Sequence, residues 1–140
     1  MPYKLLWFQI LTRLTIQYYK LTYHLVLVVK YRRKVITEPI FESLINIFNR
    51  VGSNYRIMVV EANFEADHIH ILFKSGTDVN IQRFINSYKS TSSRIIKKEY
   101  PKIYDSLWSG VFWKRGYFIA TTGGANIETI KQYIENQQRK

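Results

Sequence analysis

The sequence contains no cysteine among its 140 residues. This absence excludes disulfide bonds, thiolate zinc sites and cysteine nucleophiles, and it fits a reducing compartment. Glycine and proline are also scarce, with six and three residues, and no Gly/Ser linker, low-complexity tract or internal repeat divides the chain. We therefore expect residues 1–140 to form a single domain that buries a hydrophobic core of its own.

Acidic residues are few: 10 Asp and Glu stand against 21 Lys and Arg, which gives a formal net charge of +11. A domain with this imbalance attracts polyanions, of which nucleic acids are the commonest. The 11 Tyr and 8 Phe residues add flat surfaces on which unpaired bases can stack. A basic protein without such a ligand, or one that binds acidic lipid, is the alternative. Charge and aromatic content together favour nucleic acid.

The chain also lacks a long apolar run. Its most apolar stretch, LLWFQILTRLTIQYY near the N-terminus, is interrupted by Arg13 and several polar residues. It falls short of the roughly 18–20 apolar residues of a transmembrane helix, and it lacks the core and cleavage site of a signal peptide. We therefore expect a cytoplasmic protein that does not associate with membranes.

The spacing of apolar residues predicts four strands and three helices. The strands are expected at residues 22–30, 55–62, 67–75 and 117–122, and the helices at residues 37–52, 80–99 and 126–138. This order is typical of a ferredoxin-like split βαβ fold of the α+β class. We therefore expect a four-stranded antiparallel sheet with helices on one face, and an extra helix at the C-terminus.

The segment ADHIHILFK places two of the three histidines on one predicted strand. Because side chains alternate along a strand, His68 and His70 share one face while Ile69 and Ile71 point to the other. Two imidazoles about 7 Å apart along a strand can bind the same divalent ion, and imidazole suits zinc, manganese and nickel better than magnesium. The alternative is a pair of surface histidines without a metal. We interpret the third histidine, His24, as a partly buried, hydrogen-bonded residue.

The predicted C-terminal helix carries two polar residues that can complete such a site. Tyr133 and Gln137 are four residues apart and therefore lie on one face of the helix. If that face covers the histidine strand, Gln137 adds an oxygen ligand and Tyr133 adds a phenol. A phenol with its ordinary pKa of about 10 is a poor nucleophile, but a metal-polarised phosphate and a nearby cation make attack feasible. The alternative for Tyr133 is a core aromatic residue at helical spacing.

Several segments taken together resemble the single-tyrosine HUH transposases of the smallest insertion sequences, the IS200-like family. The resemblance follows the order and spacing of five segments: YHLVLVVKYRRKV, ADHIHILFK, SSRIIKKEYP, LWSGVFWKRGYFIATTGG and IKQYIENQ. It covers about residues 23–137 and includes both the histidine strand and the tyrosine helix. Residues 1–21 do not match the family, and we interpret them as an atypical N-terminal extension.

The resemblance implies a DNA transposase, a metal-dependent single-strand endonuclease and strand transferase. In the family, two histidines and a helix glutamine or asparagine bind Mg²⁺ or Mn²⁺, which assigns His68, His70 and Gln137 as ligands. The tyrosine, here Tyr133, attacks a phosphate of single-stranded DNA, forms a 5′-phosphotyrosine and releases a 3′-hydroxyl. The resemblance also implies a homodimer whose ligand is a single-stranded DNA hairpin at the ends of the element.

The basic residues form three groups that suit DNA phosphates. One follows the first predicted strand, one lies on the predicted helix at residues 80–99, and one follows Trp113. The candidate DNA-binding residues are Lys30, Arg32, Arg33, Lys34, Lys89, Arg94, Lys114 and Arg115. In this interpretation the last two clamp a base that stacks on Trp113. The alternative is that these side chains are merely solvated.

Two other functions are compatible with the sequence. A non-catalytic nucleic-acid-binding module with the same fold would place aromatic side chains on adjacent central strands, where bases stack. The predicted strands do not show this pattern clearly, because the histidine pair occupies that face. An HUH relative that acts on repetitive palindromes would keep the chemistry and change the substrate.

Overall fold

A computed structural model of the protein describes residues 21–121. This part of the chain contains the strands β1 (Leu21–Val28), β2 (Ile57–Glu65), β3 (His68–Ser75) and β4 (Phe118–Thr121), and the helices α1 (Glu38–Ser53) and α2 (Ile81–Glu99). The strands form one antiparallel sheet in the order β2-β3-β1-β4. The predicted α+β class and the antiparallel four-stranded sheet of the ferredoxin-like pattern are confirmed.

The core lies between one face of the sheet and the two helices. On the central strand β3, Ile69, Ile71 and Phe73 are fully buried and point to this face. Aromatic rings from both helices meet them: the centroid of Phe48 lies 5.5 Å from that of Phe73 and 5.0 Å from that of Phe84. The contact between Phe48 and Phe84 is edge-to-face, a geometry that adds to the gain from burying each ring. Burial of these apolar side chains therefore determines which face of the sheet each side chain of β3 points to.

Local signals in the sequence set the limits of both helices. Pro39 lies in the first turn of α1, where its missing N–H costs no hydrogen bond. The side chain of Asn80 caps α2 by accepting a hydrogen bond from the backbone N–H of Arg83 at 3.0 Å. Pro101 follows α2 and cannot continue it. The predicted helix limits therefore agree with the structure to within one residue.

Strand β2 is longer than predicted. The sequence indicated an end at Ala62, but the strand continues to Glu65. Asn63 and Glu65 have low strand propensity, yet they pair with His70 and His68 on the neighbouring strand. Their side chains point away from the core, so no polar group has to be buried to form these pairs. Pairing with β3 therefore overrides local propensity.

The remaining predictions for the ends of the chain lie outside the described residues. They are the helix at 126–138, with Tyr133 and Gln137, and the N-terminal extension. Within residues 21–121, no helix is long and apolar enough to cross a membrane.

Candidate active site

His68 and His70 lie beside each other on the sheet face that points away from the helices. Their Nε2 atoms are 3.1 Å apart, and the rings are nearly perpendicular at 81°. If two nitrogen ligands each lie about 2.1 Å from one ion and the N–metal–N angle is about 90°, the nitrogens are about 3 Å apart. The two nitrogens therefore have the spacing of adjacent ligands of one divalent ion. The prediction that they share a face is confirmed.

Asp67 orients the first of these rings. One carboxylate oxygen lies 2.6 Å from Nδ1 of His68, and the other accepts a hydrogen bond from Nε of Arg32 at 3.0 Å. Burial alone would raise the pKa of Asp67, but the hydrogen bond with His68 and the charges of His68 and Arg32 hold that pKa below its ordinary value. An ionised Asp67 accepts a hydrogen bond from the N–H at Nδ1 of His68. The proton of a neutral ring therefore stays on Nδ1, and Nε2 presents its lone pair toward His70.

His70 is held in the protonation state that binds metals. It is 7% exposed, and burial, together with the charges of His68 and His24, lowers its pKa to about 4. A neutral imidazole at physiological pH keeps a lone pair for coordination. Both rings can therefore act as metal ligands. His68 has the required tautomer, and His70 has the required neutral form.

His24 is a third histidine on the same face, and its sequence position did not reveal this. It lies on β1 opposite Leu72, and its ring stacks on that of His70 with centroids 5.8 Å apart and planes at 10°. Its burial is confirmed, and burial lowers its pKa to about 4. The expected hydrogen bonds are not found, since neither ring nitrogen has a partner within residues 21–121. Its contact with His70 is one of packing.

The described residues contribute two of the three predicted ligands. Within residues 21–121, no three His, Asp or Glu side chains converge closely enough to hold a metal ion. The predicted third ligand, Gln137, and the predicted nucleophile, Tyr133, lie outside this range. Their roles stay predictions.

The basic loop, which we define as residues 30–35, is fixed at both ends. The backbone N–H of Val29 donates to the carbonyl of Asp67 at 2.8 Å, and that of Ile36 donates to the carbonyl of Ala66 at 2.9 Å. Both carbonyls belong to the turn between β2 and β3, directly before the histidine pair. The loop therefore borders the site through backbone contacts.

The side chains of the basic loop surround this edge of the site. Arg32, Arg33 and Lys34 are exposed and Lys30 is half-buried. Arg32 contacts Asp67 while 70% of its side chain stays accessible. The predicted DNA-binding residues of this group are thus brought close to the histidines, although their contact with DNA stays a prediction.

The second and third basic groups meet at a different edge. The amine of Lys89 on α2 donates to the carbonyls of Lys114 at 2.9 Å and Gly116 at 3.1 Å. Burial lowers the pKa of Lys89. This side chain therefore ties α2 to the loop before β4. Arg94, Lys114 and Arg115 are exposed.

The suggestion that a base stacks on Trp113 is wrong. Trp113 is only 6% exposed, and its indole N–H donates to the buried hydroxyl of Ser92 at 2.9 Å. It is part of the core and offers no free face. Another tryptophan of the same loop, Trp108, is 47% exposed. The sequence showed two similar tryptophans and no signal that distinguished them.

Comparison with known proteins shows a match to one family over most of the chain. Residues 17–137 match the profile of the family described as "Transposase IS200 like". The ISDra2 transposase TnpA of Deinococcus radiodurans is 30% identical over 122 residues, covering 87% of each protein. The transposase for insertion sequence element IS200 of Salmonella typhimurium is 28% identical over 115 residues, covering 82% of this chain and 75% of the relative.

Two solved structures share the fold. A Deinococcus radiodurans protein described as a transposase superposes with a TM-score of 0.68 at 28% identity, covering 85% of this chain and 92% of that one. A REP-associated tyrosine transposase bound to a REP hairpin gives a TM-score of 0.59 at 11% identity, covering 83% and 64%. The second likeness concerns the fold alone.

Proposed function

Because the chain belongs to the IS200-like transposase family, we propose that it cleaves and rejoins single-stranded DNA at the ends of an insertion sequence. The observation that carries this proposal is the convergence of the Nε2 atoms of His68 and His70 at 3.1 Å. Family membership supports the reaction class, and the spacing of the histidine pair supports its location on this chain.

The residues fit a divalent ion. His68 and His70, with Gln137 as the third ligand, would hold Mg²⁺ or Mn²⁺, which when bound acts as a Lewis acid toward a phosphate oxygen. Asp67 accepts a hydrogen bond from Nδ1 of His68, which would leave Nε2 of that ring with its lone pair for coordination. The contact thus orients one of the two proposed histidine ligands.

Tyr133 is the proposed nucleophile. Its phenolate oxygen forms a bond to phosphorus while the bond from phosphorus to the 3′ oxygen breaks. The 3′ oxygen leaves with the bonding electrons and takes up a proton from water to become a 3′-hydroxyl, which balances the proton that the phenol of Tyr133 gave up to water. The DNA on the other side stays attached as a 5′-phosphotyrosine. One phosphodiester replaces another, so a second 3′-hydroxyl can reverse the step and join strands without ATP.

The proposed ligand is a single-stranded DNA hairpin. The net charge of +11 and the basic loop beside the histidines favour a polyanion at this site. A tyrosine transposase with the same fold is described as bound to a hairpin, and we extend that ligand class to this chain. The protein would act as a homodimer of single-domain subunits in the cytoplasm, in which the tyrosine helix of one subunit can complete the site of its partner.

A covalent adduct tests the chemistry. Full-length protein is incubated with Mg²⁺ or Mn²⁺ and single-stranded oligonucleotides from the ends of its own element, and the products are separated on a denaturing gel. Wild type should give a protein–DNA adduct that chelation of the metal abolishes, and Tyr133→Phe should give none, because the attacking oxygen is lost. Tyr104→Phe is the matched control, since Tyr104 is an exposed tyrosine outside the proposed site. An adduct with Tyr133→Phe, or none with wild type, would show the assignment to be wrong.

A non-catalytic nucleic-acid-binding module is less well supported. Among the four strands of residues 21–121, the registers place one Phe, Tyr or Trp on the histidine face, Phe118 of the edge strand β4. A base-stacking sheet needs such rings on its central strands. The genome sequence around the gene distinguishes the transposase from an HUH relative that acts on repetitive palindromes. Imperfect palindromes that directly flank the gene favour the transposase.

A further inference from the structure

Two aromatic side chains from distant parts of the sequence meet on the surface. Tyr31, in the basic loop, is 63% exposed, and Trp108, in the loop after α2, is 47% exposed. Their ring centroids are 5.3 Å apart with planes at 72°. Large exposed aromatic rings in mutual contact are a common feature of binding surfaces, because a ligand that covers them gains from their burial. We call these two rings the aromatic pair.

A cation belongs to the same surface. The amine of Lys30 lies 5.7 Å from the ring centroid of Tyr31 and 5.4 Å from that of Trp108, within reach of cation–π attraction. Arg33 and Lys34 follow in the same exposed loop. Rings for stacking beside charges for phosphate are what single-stranded nucleic acid requires. An apolar protein partner would have to cover these charges without neutralising them.

Strained backbone conformations occur at or beside both rings. Tyr31 and Arg32 have φ values of 55° and 52°, and Ser109, next to Trp108, has a φ of 49°. Left-handed conformations are unfavourable for residues with a Cβ atom, and they concentrate at functional sites. The Trp108 loop is also packed from within, because a Cβ atom added to Gly110 would lie 2.7 Å from the ring of Tyr104. Left-handed backbone on both sides of the contact is the kind of outlier that suggests a functional role.

The aromatic pair is linked to the histidine site by short contacts. Arg32, the residue after Tyr31, donates to Asp67, which in turn contacts His68. Val28, at the end of β1 before the basic loop, pairs with His68 in the sheet. A strand of DNA that reaches the histidines therefore has the aromatic pair along the same edge.

We propose that Tyr31 and Trp108, with Lys30 beside them, bind one unpaired nucleobase of single-stranded DNA by stacking. This inference rests on the proposed function for the choice of DNA as ligand. It assigns base contact to residues outside the proposed catalytic group. Since every base has an aromatic face, the contact would hold DNA without reading its sequence.

Binding without chemistry tests this proposal. Full-length protein is titrated in EDTA against a fluorescein-labelled oligothymidylate and against an oligomer of the same length made of abasic residues. Fluorescence anisotropy should show that wild type binds the oligothymidylate at least about five-fold more tightly, because only that probe can stack. Tyr31→Ala and Trp108→Ala should lose this preference and keep their affinity for the abasic probe. Tyr31→Phe and Trp108→Phe keep a ring and should retain most of it.

Controls separate stacking from other causes. Met58→Ala removes another exposed apolar side chain, at the far end of β2, and should leave the preference unchanged. Equal affinity of wild type for the two probes would overturn the proposal without any variant. The proposal would also be overturned if both alanine variants kept the preference for the oligothymidylate. The same holds if the alanine variants changed only their oligomeric state on a sizing column and kept that preference. Because EDTA excludes cleavage, absence of the Tyr133 adduct counts against the proposed chemistry and leaves this result standing.

Discussion

The contact between Asp67 and His68 decides which nitrogen of that ring faces His70. With Asp67 ionised, the proton stays on Nδ1 and the Nε2 atoms converge at 3.1 Å. A neutral ring with the opposite tautomer would place an N–H where the ion should bind. The carboxylate is therefore a positioning group for the proposed metal site.

Asp67→Asn should weaken metal binding by about 10- to 100-fold, the usual effect of removing a group that orients a ligand. The amide keeps the shape of the side chain, but it lacks the charge that holds the proton on Nδ1. Calorimetric titration of the protein with Mn²⁺ measures the effect. Asp78→Asn is the matched control, because Asp78 is an exposed aspartate that contacts Arg56. Wild-type affinity in Asp67→Asn would remove Asp67 from the site.

Single residues also show where sequence reasoning ends. The alternation of His68 with Ile69 was sufficient to predict the face of the histidine pair. The two tryptophans could not be separated, because burial of Trp113 depends on Ser92 of α2 and on a bridge to Val29, the residue after β1. Those partners are far away in the sequence, and periodicity carries no information about them.

Helix α2 holds the loop that leads to β4. Lys89 and Lys97 of this helix donate to carbonyls of that loop, and Ser92 accepts from Trp113. One helix face thus fixes the path of the segment that carries the exposed Trp108. The predicted helix was correct in extent, but its role as an anchor is visible only in the folded chain.

Ser92→Ala should lower the free energy of unfolding by about 1–3 kcal/mol, because it leaves the buried indole N–H of Trp113 without an acceptor. Urea denaturation followed by circular dichroism measures the change. Ser90→Ala, at an exposed position of the same helix, should stay within about 0.5 kcal/mol of wild type. Equal stability of the two variants would mean that the hydrogen bond contributes little.

The net charge of +11 predicts that the proposed binding of DNA weakens steeply as the salt concentration rises. The helices cover one face of the sheet. The histidines lie on the opposite face, and the basic loop borders them at one end of that face. Substitution of single cations should therefore distinguish the side chains that contact DNA from those that do not. Composition predicted the polyanion, but only the fold shows which cations lie beside the site.

Lys34→Ala should reduce the slope of log affinity against log salt by about 0.7 for single-stranded DNA, the effect of one lost phosphate contact. Anisotropy titrations over a range of salt concentrations give the slope. Arg50→Ala removes an exposed cation in the last turn of α1 and should leave the slope unchanged. Equal slopes in Lys34→Ala and wild type would place Lys34 outside the DNA contact.

The two backbone hydrogen bonds that close the basic loop have a consequence for divergence within the family. Val29 and Ile36 are bound to the turn before the histidines through main-chain hydrogen bonds, so the exposed side chains between them can be exchanged without moving the histidine pair. Arg32 and Val35 are exceptions, since the side chain of Arg32 contacts Asp67 and Val35 is buried in the core. Point substitutions in such a loop can therefore change its surface charge and shape while the histidine pair keeps its geometry.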